Sequence, residues 1–297
     1  MDAVQKKTTK KGTNRQYKDR LFKAIFGSAD SRENALSLYN AVNDTDYQDT
    51  SRIHFNTIED AVYMSMKNDV SFIFGSYMNF YEQQSTYNPN MPFRMFLYAA
   101  KAYEDYANDP ANSFNIYSDE LQYIPAARFA VFYNGKADEP EYKDLRLSDA
   151  YMDGVKVESD IVVRMLNINY GKNKGLMDKC IPLRDYAFFI DMARGERIRG
   201  KSISEAVDAA YDQLPDGWVK TFISNNRAEV KDMLLTEYDE ERTKKLFIQE
   251  GERKGIEKGR QENALRMLED GMPIESVAKY SGLTVDEVRE LSKKVPV

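Results

Sequence analysis

The alternation of apolar and polar residues along 67–84 predicts a β-hairpin. Its first arm has the two-residue period of a half-buried strand: Val70, Phe72 and Phe74 alternate with Asp69 and Ser71. Gly75-Ser76 supplies the turn, and Glu82 and Gln84 share one face of the second arm, because side chains two apart in a strand point the same way. Antiparallel pairing can bring Asp69 beside Glu82. Two carboxylates that meet in this way repel unless a cation such as Mg²⁺ joins them.

The remaining patterns predict a chain that mixes helices with strands, an α/β class. We expect helices over 17–43 (interrupted at Gly27), 93–106, 182–195 and 202–213, and strands over 61–75, 78–86, 127–133 and 161–168. The segment 136–160 is charged and rich in turn residues, so it is expected to connect two strands. The strand 78–86, the helix 93–106 and the strand 127–133 have the order of a parallel crossover.

The C-terminal part changes character. From Glu237 to Asn263 more than half of the residues are charged, and a glycine recurs at every fourth residue from Gly251 to Gly259, which predicts a polar helix weakened at each glycine, or a linker. Three short helical segments follow, which together resemble a helix-turn-helix. We therefore expect four parts: a flexible basic arm over 1–16, a main domain over 17–236, a charged helical linker over 237–263 and a small trihelical unit over 264–297.

Composition narrows the chemistry. The single cysteine, Cys180, excludes an intramolecular disulfide and a cysteine-rich zinc site. The single histidine, His54, argues against a His-rich metal site and against a Ser-His-Asp triad, which leaves carboxylates as the main catalytic groups. No apolar run approaches the roughly 20 residues needed to span a bilayer, and no signal peptide is visible. We expect cytoplasmic residence and no membrane partner.

The charge of the chain argues both against and for nucleic-acid binding. The net charge of −6 does not favour DNA binding, which depends on Lys and Arg neutralising phosphates. The N-terminal arm is nevertheless basic, and it is either a solvated tail or an electrostatic contact to a nucleic-acid backbone. Its candidate nucleic-acid-binding residues are Lys6, Lys7, Lys10, Lys11, Arg15, Lys18 and Arg20. The trihelical unit is near neutral, so it favours oligomerisation, for example a homodimer, or partner docking over groove binding.

The spacing of Asp69 and Glu82-x-Gln84 resembles the active-site pattern of the PD-(D/E)XK nuclease superfamily, and most closely its Rpn-like recombination-promoting nucleases, often labelled transposases. The resemblance extends from about Tyr17 to the C-terminus. Besides Lys67-Asn-Asp69-Val-Ser-Phe72, blocks similar to that group follow in order: Phe22-Lys-Ala-Ile-Phe-Gly27, Leu38-Tyr-Asn40-Ala-Val42, Tyr87-Asn-Pro-Asn-Met-Pro92, Phe132-Tyr-Asn-Gly135 and Met165-Leu-Asn-Ile-Asn169.

This resemblance implies a restriction-endonuclease-like core, a mixed sheet flanked by helices, with a C-terminal helical appendage. It implies that Asp69, Glu82 and the backbone carbonyl of Gln83 hold Mg²⁺ or Mn²⁺, and that Gln84 positions the attacking water. Gln84 stands where the superfamily usually has Lys, although Gln is common in the Rpn-like branch. Lys67 is either a compensating base on the face of Asp69 or a surface lysine. Glu33 is either a further metal ligand or a helix N-terminal acid favoured by the macrodipole.

The expected function is therefore Mg²⁺-dependent DNA endonuclease activity, in recombination, mobile-element upkeep or phage defence. The alternative is a catalytically degenerate nuclease fold that binds DNA or protein and regulates without cutting, which the acidic net charge and the missing Lys favour. A second alternative places the working part in the C-terminal trihelical unit.

Overall fold

The computed structural model of the protein describes residues 21–55, 68–153, 155 and 157–293, without the side chains of 236–247. The chain divides into two compact units, Met1–Thr236 and Glu237–Val297. Because Lys67 and residues 1–20 lie outside the described part, the predictions made for them are not addressed by the structure.

The first unit is built on a six-stranded mixed sheet with helices on both faces. The spatial order of its strands is β1-β2-β3-β4-β6-β5. Their bounds are β1 Ile53–Phe55, β2 Val70–Phe74, β3 Tyr77–Gln84, β4 Ala126–Tyr133, β5 Tyr142–Arg146 and β6 Val162–Asn167.

The pairing within this sheet is mixed. The strands β1, β2 and β3 form an antiparallel meander, whereas β4 pairs in parallel with both β3 and β6, and β5 closes the edge antiparallel to β6. The predicted parallel crossover is confirmed, since Tyr77 pairs with Ala126 and Gln84 with Tyr133 in one continuous parallel register.

Eight helices begin in the described part of the first unit. They are α1 Leu21–Phe26, α2 Arg32–Asn43, α3 Met91–Asn108, α4 Lys174–Lys179, α5 Ile181–Ile198, α6 Ile203–Gln213, α7 Trp218–Asn225 and α8 Arg227–Glu269, which ends in the second unit. One core packs α1, α2 and α5 to α7 on the sheet face that carries Phe72, Tyr81 and Phe132. A smaller core packs α3 on the opposite face, against Phe80 and Met165.

The second unit packs the end of α8 with α9 Ile274–Ser281 and α10 Val285–Ser292 around a small apolar core. Gly282 ends α9 at φ +71°, a left-handed conformation that suits glycine. Thr284 then caps α10 by accepting a hydrogen bond from the Glu287 N–H. The described residues of the predicted trihelical unit, 264–297, contain the end of α8 together with α9 and α10, and residues 294–297 lie outside the described part.

Some elements were not predicted. The segment 136–160 was expected to be turns, but it contains β5, whose charged Lys143, Asp144 and Arg146 obscure the strand pattern. Charged residues are common on edge strands because they discourage pairing with another chain. The short elements β1, α4 and α7 were also missed. Of the strand expected over 61–75, residues 61–67 lie outside the described part and β2 begins at Val70. Among the described residues, the helices are too short or too polar to cross a membrane.

Candidate functional site

The β2–β3 hairpin places Asp69 and Glu82 side by side. The last pair in the register is Val70 with Tyr81, so the next position sets Asp69 opposite Glu82. Both side chains lie on the α3 face of the sheet, because Val70 and Tyr81 belong to the core on the other face and side chains alternate. The Asp69 N–H donates to Glu82 Oε2 at 3.3 Å, which confirms the predicted proximity of the two residues.

Both acids are buried, with Asp69 9% and Glu82 2% exposed. A buried carboxylate is costly unless hydrogen bonds or a counter-ion stabilise it. The Gln83 N–H donates to Asp69 Oδ2 at 2.8 Å, so the strand backbone supplies one of these bonds. At Gly27, just after α1, an added Cβ would lie 3.2 Å from the Asp69 carbonyl oxygen, and the small residue permits this close approach.

Arg94 of α3 is the main site residue that sequence reasoning missed. Its Nη2 lies 2.7 Å from Glu82 Oε1 and 2.8 Å from the Tyr98 hydroxyl oxygen. Its side chain is 21% exposed, so the ion pair is largely shielded from water. Burial alone would lower the pKa of Arg94, but the attraction of Glu82, Tyr98 and Asp69 outweighs burial and leaves it raised. Among the described residues, the site is therefore a cluster of two acids and one fixed cation.

Tyr98 completes this cluster on the next turn of α3. It is 1% exposed, and burial, followed by the negative charge of Glu82, raises the pKa of Tyr98 to about 12. The phenol therefore remains a neutral hydrogen-bonding group at physiological pH. The negative charge of Asp69 adds a smaller contribution to the same rise in the pKa of Tyr98.

The two glutamines that follow Glu82 point to opposite faces of β3. Gln84 is half-buried on the acid face, and its Nε2 donates to Glu82 Oε1 at 3.2 Å. Gln83 turns its side chain to the other face, where Nε2 donates to Asn134 Oδ1 at 2.6 Å. Asn134 in turn donates to the Tyr186 hydroxyl at 3.3 Å, which ties β3 to the end of β4 and to α5. The predicted shared face of Glu82 and Gln84 is confirmed.

Glu33 is not brought to this site. It is exposed on α2 and lines a separate surface cleft of about 770 Å³ together with Asp44 and Lys179. Among the described residues, no three acidic, histidine or cysteine side chains group closely enough to hold a metal ion between them. The exposed position of Glu33 near the start of α2 agrees with the alternative, a helix N-terminal acid.

The donor set suits a hard divalent cation better than any other metal. Asp69 and Glu82 offer carboxylate oxygens, and Mg²⁺ is commonly bound by one or two carboxylates with water and substrate phosphate completing its shell. A third protein acid is therefore not required. Arg94 already contacts Glu82 Oε1, so a cation at this carboxylate would have to share it with the guanidinium or displace the guanidinium.

Comparisons with protein-family models, with curated proteins and with solved structures found no match to this chain. Function is therefore inferred from the chemistry of the chain's own residues.

Proposed function

We propose that this protein is a Mg²⁺- or Mn²⁺-dependent endonuclease that hydrolyses DNA phosphodiesters, with Asp69 and Glu82 as the metal ligands. One observation carries the proposal: two buried acids lie side by side on antiparallel strands, and the Asp69 N–H donates to the carboxylate of Glu82. Buried acids are seldom placed together unless they serve a cation or a catalytic step.

The arrangement of the sheet supports a PD-(D/E)XK-type core. That core requires the acids on two adjacent strands of an antiparallel meander, followed by a helix and a parallel strand. Here β1, β2 and β3 form the meander, and α3 joins β3 to the parallel β4. The acids of β2 and β3 also face the connecting helix, so Arg94 and Tyr98 of α3 form one wall of the site.

A divalent cation held by Asp69 and Glu82 would polarise the scissile phosphate and lower the pKa of bound water. The side chains around the acids have their own roles. Gln84 donates to Glu82 through its amide, which leaves its carbonyl oxygen to orient a water. Arg94 brings a fixed positive charge that attracts the phosphate and stabilises charge developing on it. The backbone of Gln83 holds Asp69 in place through its N–H, and its carbonyl is the proposed third protein ligand.

The decisive experiment combines plasmid cleavage with metal binding. Supercoiled plasmid is incubated with Mg²⁺ and the wild type, Asp69→Asn or a matched control, Asp119→Asn, which changes an exposed acid on a loop outside the site. We expect Asp69→Asn to reduce nicking by about 100-fold or more and to weaken Mn²⁺ binding in calorimetry, and the control to match the wild type. Wild-type cleavage rates in the Asp69→Asn protein would refute the assignment.

A second candidate function is favoured by one specific contact. The Arg94 guanidinium already neutralises Glu82, and Gln84 stands where a catalytic Lys is usual, so the same fold could bind DNA or a protein without cutting. In that case the wild type binds DNA but neither cleaves it nor takes up Mn²⁺. The proposal also includes a cytoplasmic location, a role in recombination or phage defence, and a homodimer built on the C-terminal unit.

A further inference from the structure

A second polar cluster lies on the sheet face opposite the acids, where α2 packs against β4 and β6. Arg128 of β4 donates from Nη1 to the Tyr39 hydroxyl and to Asn43 Oδ1, each at 3.1 Å. Arg164 of β6 donates from Nη1 to the Val42 carbonyl at 2.9 Å. Both arginines thus reach the C-terminal half of α2, and both line a cleft of about 540 Å³.

The two guanidinium groups come from neighbouring positions of the sheet. Ala130 pairs with Arg164 in the parallel register, and Arg128 lies two residues before Ala130 on the same face. Both side chains therefore enter the same cleft from adjacent strands. Two like charges so placed are unfavourable unless an anion stabilises them, the same reasoning that applies to the acid pair.

No carboxylate among the described residues lies within 4.0 Å of either guanidinium. Two aspartates line the cleft, and one of them, Asp44, is paired with Lys179 at 2.6 Å. The other, Asp144, pairs with Arg164 in the antiparallel register of β5 and β6. Its carboxylate instead accepts a hydrogen bond from the Tyr142 hydroxyl at 2.5 Å and lies 3.9 Å from Arg146. The cleft therefore holds two arginines that make no direct ion pair with a described carboxylate.

Arg128 is held in a fixed position by uncharged partners. Its guanidinium stacks on the Tyr77 ring, 3.3 Å from the ring centroid, and its hydrogen bonds go to a hydroxyl and an amide. A guanidinium has five N–H donors, so donors remain for a ligand. A planar fork that is already ordered loses little entropy when it binds an oxyanion.

The Tyr81 hydroxyl adds an independent observation that points to a ligand. Tyr81 is 1% exposed and lines the same cleft, yet its hydroxyl has no hydrogen-bond partner of acceptable geometry, although the Asn43 amide lies nearby. Burial raises the pKa of Tyr81, so the group stays protonated and can donate. A buried hydroxyl without a partner is costly, and a ligand oxygen in the cleft would remove that cost.

We propose that this Arg128–Arg164 cleft binds the phosphate group of a small molecule of nucleotide size. Guanidinium forks match phosphate oxygens, and the volume falls within the usual range of small-molecule sites. Tyr142 lines the cleft beside the arginines and offers aromatic surface to the rest of such a ligand. This site is separate from the acid pair, and the proposal does not depend on nuclease activity.

The test is calorimetric titration of the full chain with inorganic phosphate, AMP and adenosine, in EDTA so that no metal at the acid pair contributes. We expect phosphate and AMP to bind and adenosine not to bind. Arg164→Gln and Arg128→Gln should each weaken AMP binding at least tenfold, since each removes charge-assisted hydrogen bonds. Arg32→Gln, which changes an exposed arginine of α2 outside the cleft, should have no effect.

Asp144→Asn separates a binding role from a structural one. It removes a negative charge at the cleft without touching the contacts of Arg128, so it should tighten AMP binding by a few-fold or more. Because tighter AMP binding by Asp144→Asn does not depend on the Arg128 variant, the proposal stays testable even if Arg128→Gln misfolds. Absence of phosphate and AMP binding would overturn the proposal, and so would AMP affinity unaffected by Arg164→Gln and Asp144→Asn. Arginine-dependent binding of an oligonucleotide without AMP binding would overturn the small-molecule assignment.

Discussion

Replacing Arg94 by Gln tests whether its guanidinium competes with a metal for Glu82. The substitution removes the charge that lies 2.7 Å from a carboxylate only 2% exposed. Breaking a buried ion pair by removing one partner usually costs about 3–5 kcal/mol. Glu82 keeps the hydrogen bonds donated by Gln84 and by the Asp69 N–H, so the lower end, about 3 kcal/mol, is expected for the metal-free protein.

The same change should strengthen metal binding. A divalent ion and a guanidinium that share one carboxylate are about 5 Å apart, and at an effective dielectric constant of about 20 their repulsion is several kcal/mol. If solvent screening leaves one fifth of this repulsion, about 1.4 kcal/mol remains. Removal of Arg94 then lowers the Kd for Mg²⁺ about tenfold. Cleavage should fall at the same time, because the phosphate loses a fixed positive charge.

Two measurements check this prediction: urea unfolding with EDTA or with saturating Mg²⁺, and calorimetric titration with Mn²⁺. Lys101→Gln is the matched control, because Lys101 lies on the same helix but pairs only at the surface, with Glu104 and Asp105. It should leave metal affinity unchanged. If Arg94→Gln binds Mn²⁺ more weakly than the wild type, the guanidinium supports the metal site and the competition argument is wrong. If stability in EDTA is unchanged, the ion pair does not stabilise the fold.

Two further predictions concern Tyr98, beside the acids, and Gly135, after the end of β4. Folding raises the pKa of Tyr98 from about 10 to about 12, so between these pH values the folded protein retains a proton that the unfolded chain releases. The resulting contribution to the free energy of unfolding, up to about 2.7 kcal/mol, is complete below about pH 10 and is lost by about pH 12. Urea unfolding should show that Tyr98→Phe loses less unfolding free energy between pH 8 and pH 11 than the wild type does. The control Tyr117→Phe, at an exposed tyrosine, should behave as the wild type. Equal losses in Tyr98→Phe and the wild type would contradict the role given to Tyr98. Gly135→Ala should destabilise by about 1–3 kcal/mol, because its Cβ would overlap the Ser85 carbonyl oxygen and the Tyr133 ring, and an unchanged midpoint in urea would show that the turn can relax.

The acid pair could be predicted from sequence because the information that places it is local. The alternation on both arms fixes which face each residue takes, and the short turn at Gly75, with φ +59°, fixes the register. Given antiparallel pairing, Asp69 can only lie opposite or near Glu82. A hairpin is therefore a favourable case, in which a site can be derived from residue spacing alone.

Arg94 could not be predicted in the same way. Its contact with Glu82 depends on how α3 crosses back over the sheet, which is set by packing of Met95 and Tyr98 against β3 and not by any local pattern. The sequence shows only an arginine near the start of an amphipathic helix, where most arginines face solvent. That Arg128 and Arg164 share one cleft could not be predicted for a similar reason, since charged residues inside predicted strands resemble ordinary edge residues.

Under the proposed function, Arg94 also bears on how the site would work with Gln at position 84. In the superfamily pattern a Lys at that place orients or activates the attacking water. Under the proposed function, Gln84 would keep the hydrogen-bonding part of this role, and Arg94 would supply a positive charge to the same carboxylate from a different element. A guanidinium with a raised pKa cannot accept a proton at any physiological pH. Among the described residues the two thus restore charge and orientation but not a base, so under the proposed function deprotonation of the water depends on the metal or on Lys67, the candidate base outside the described part.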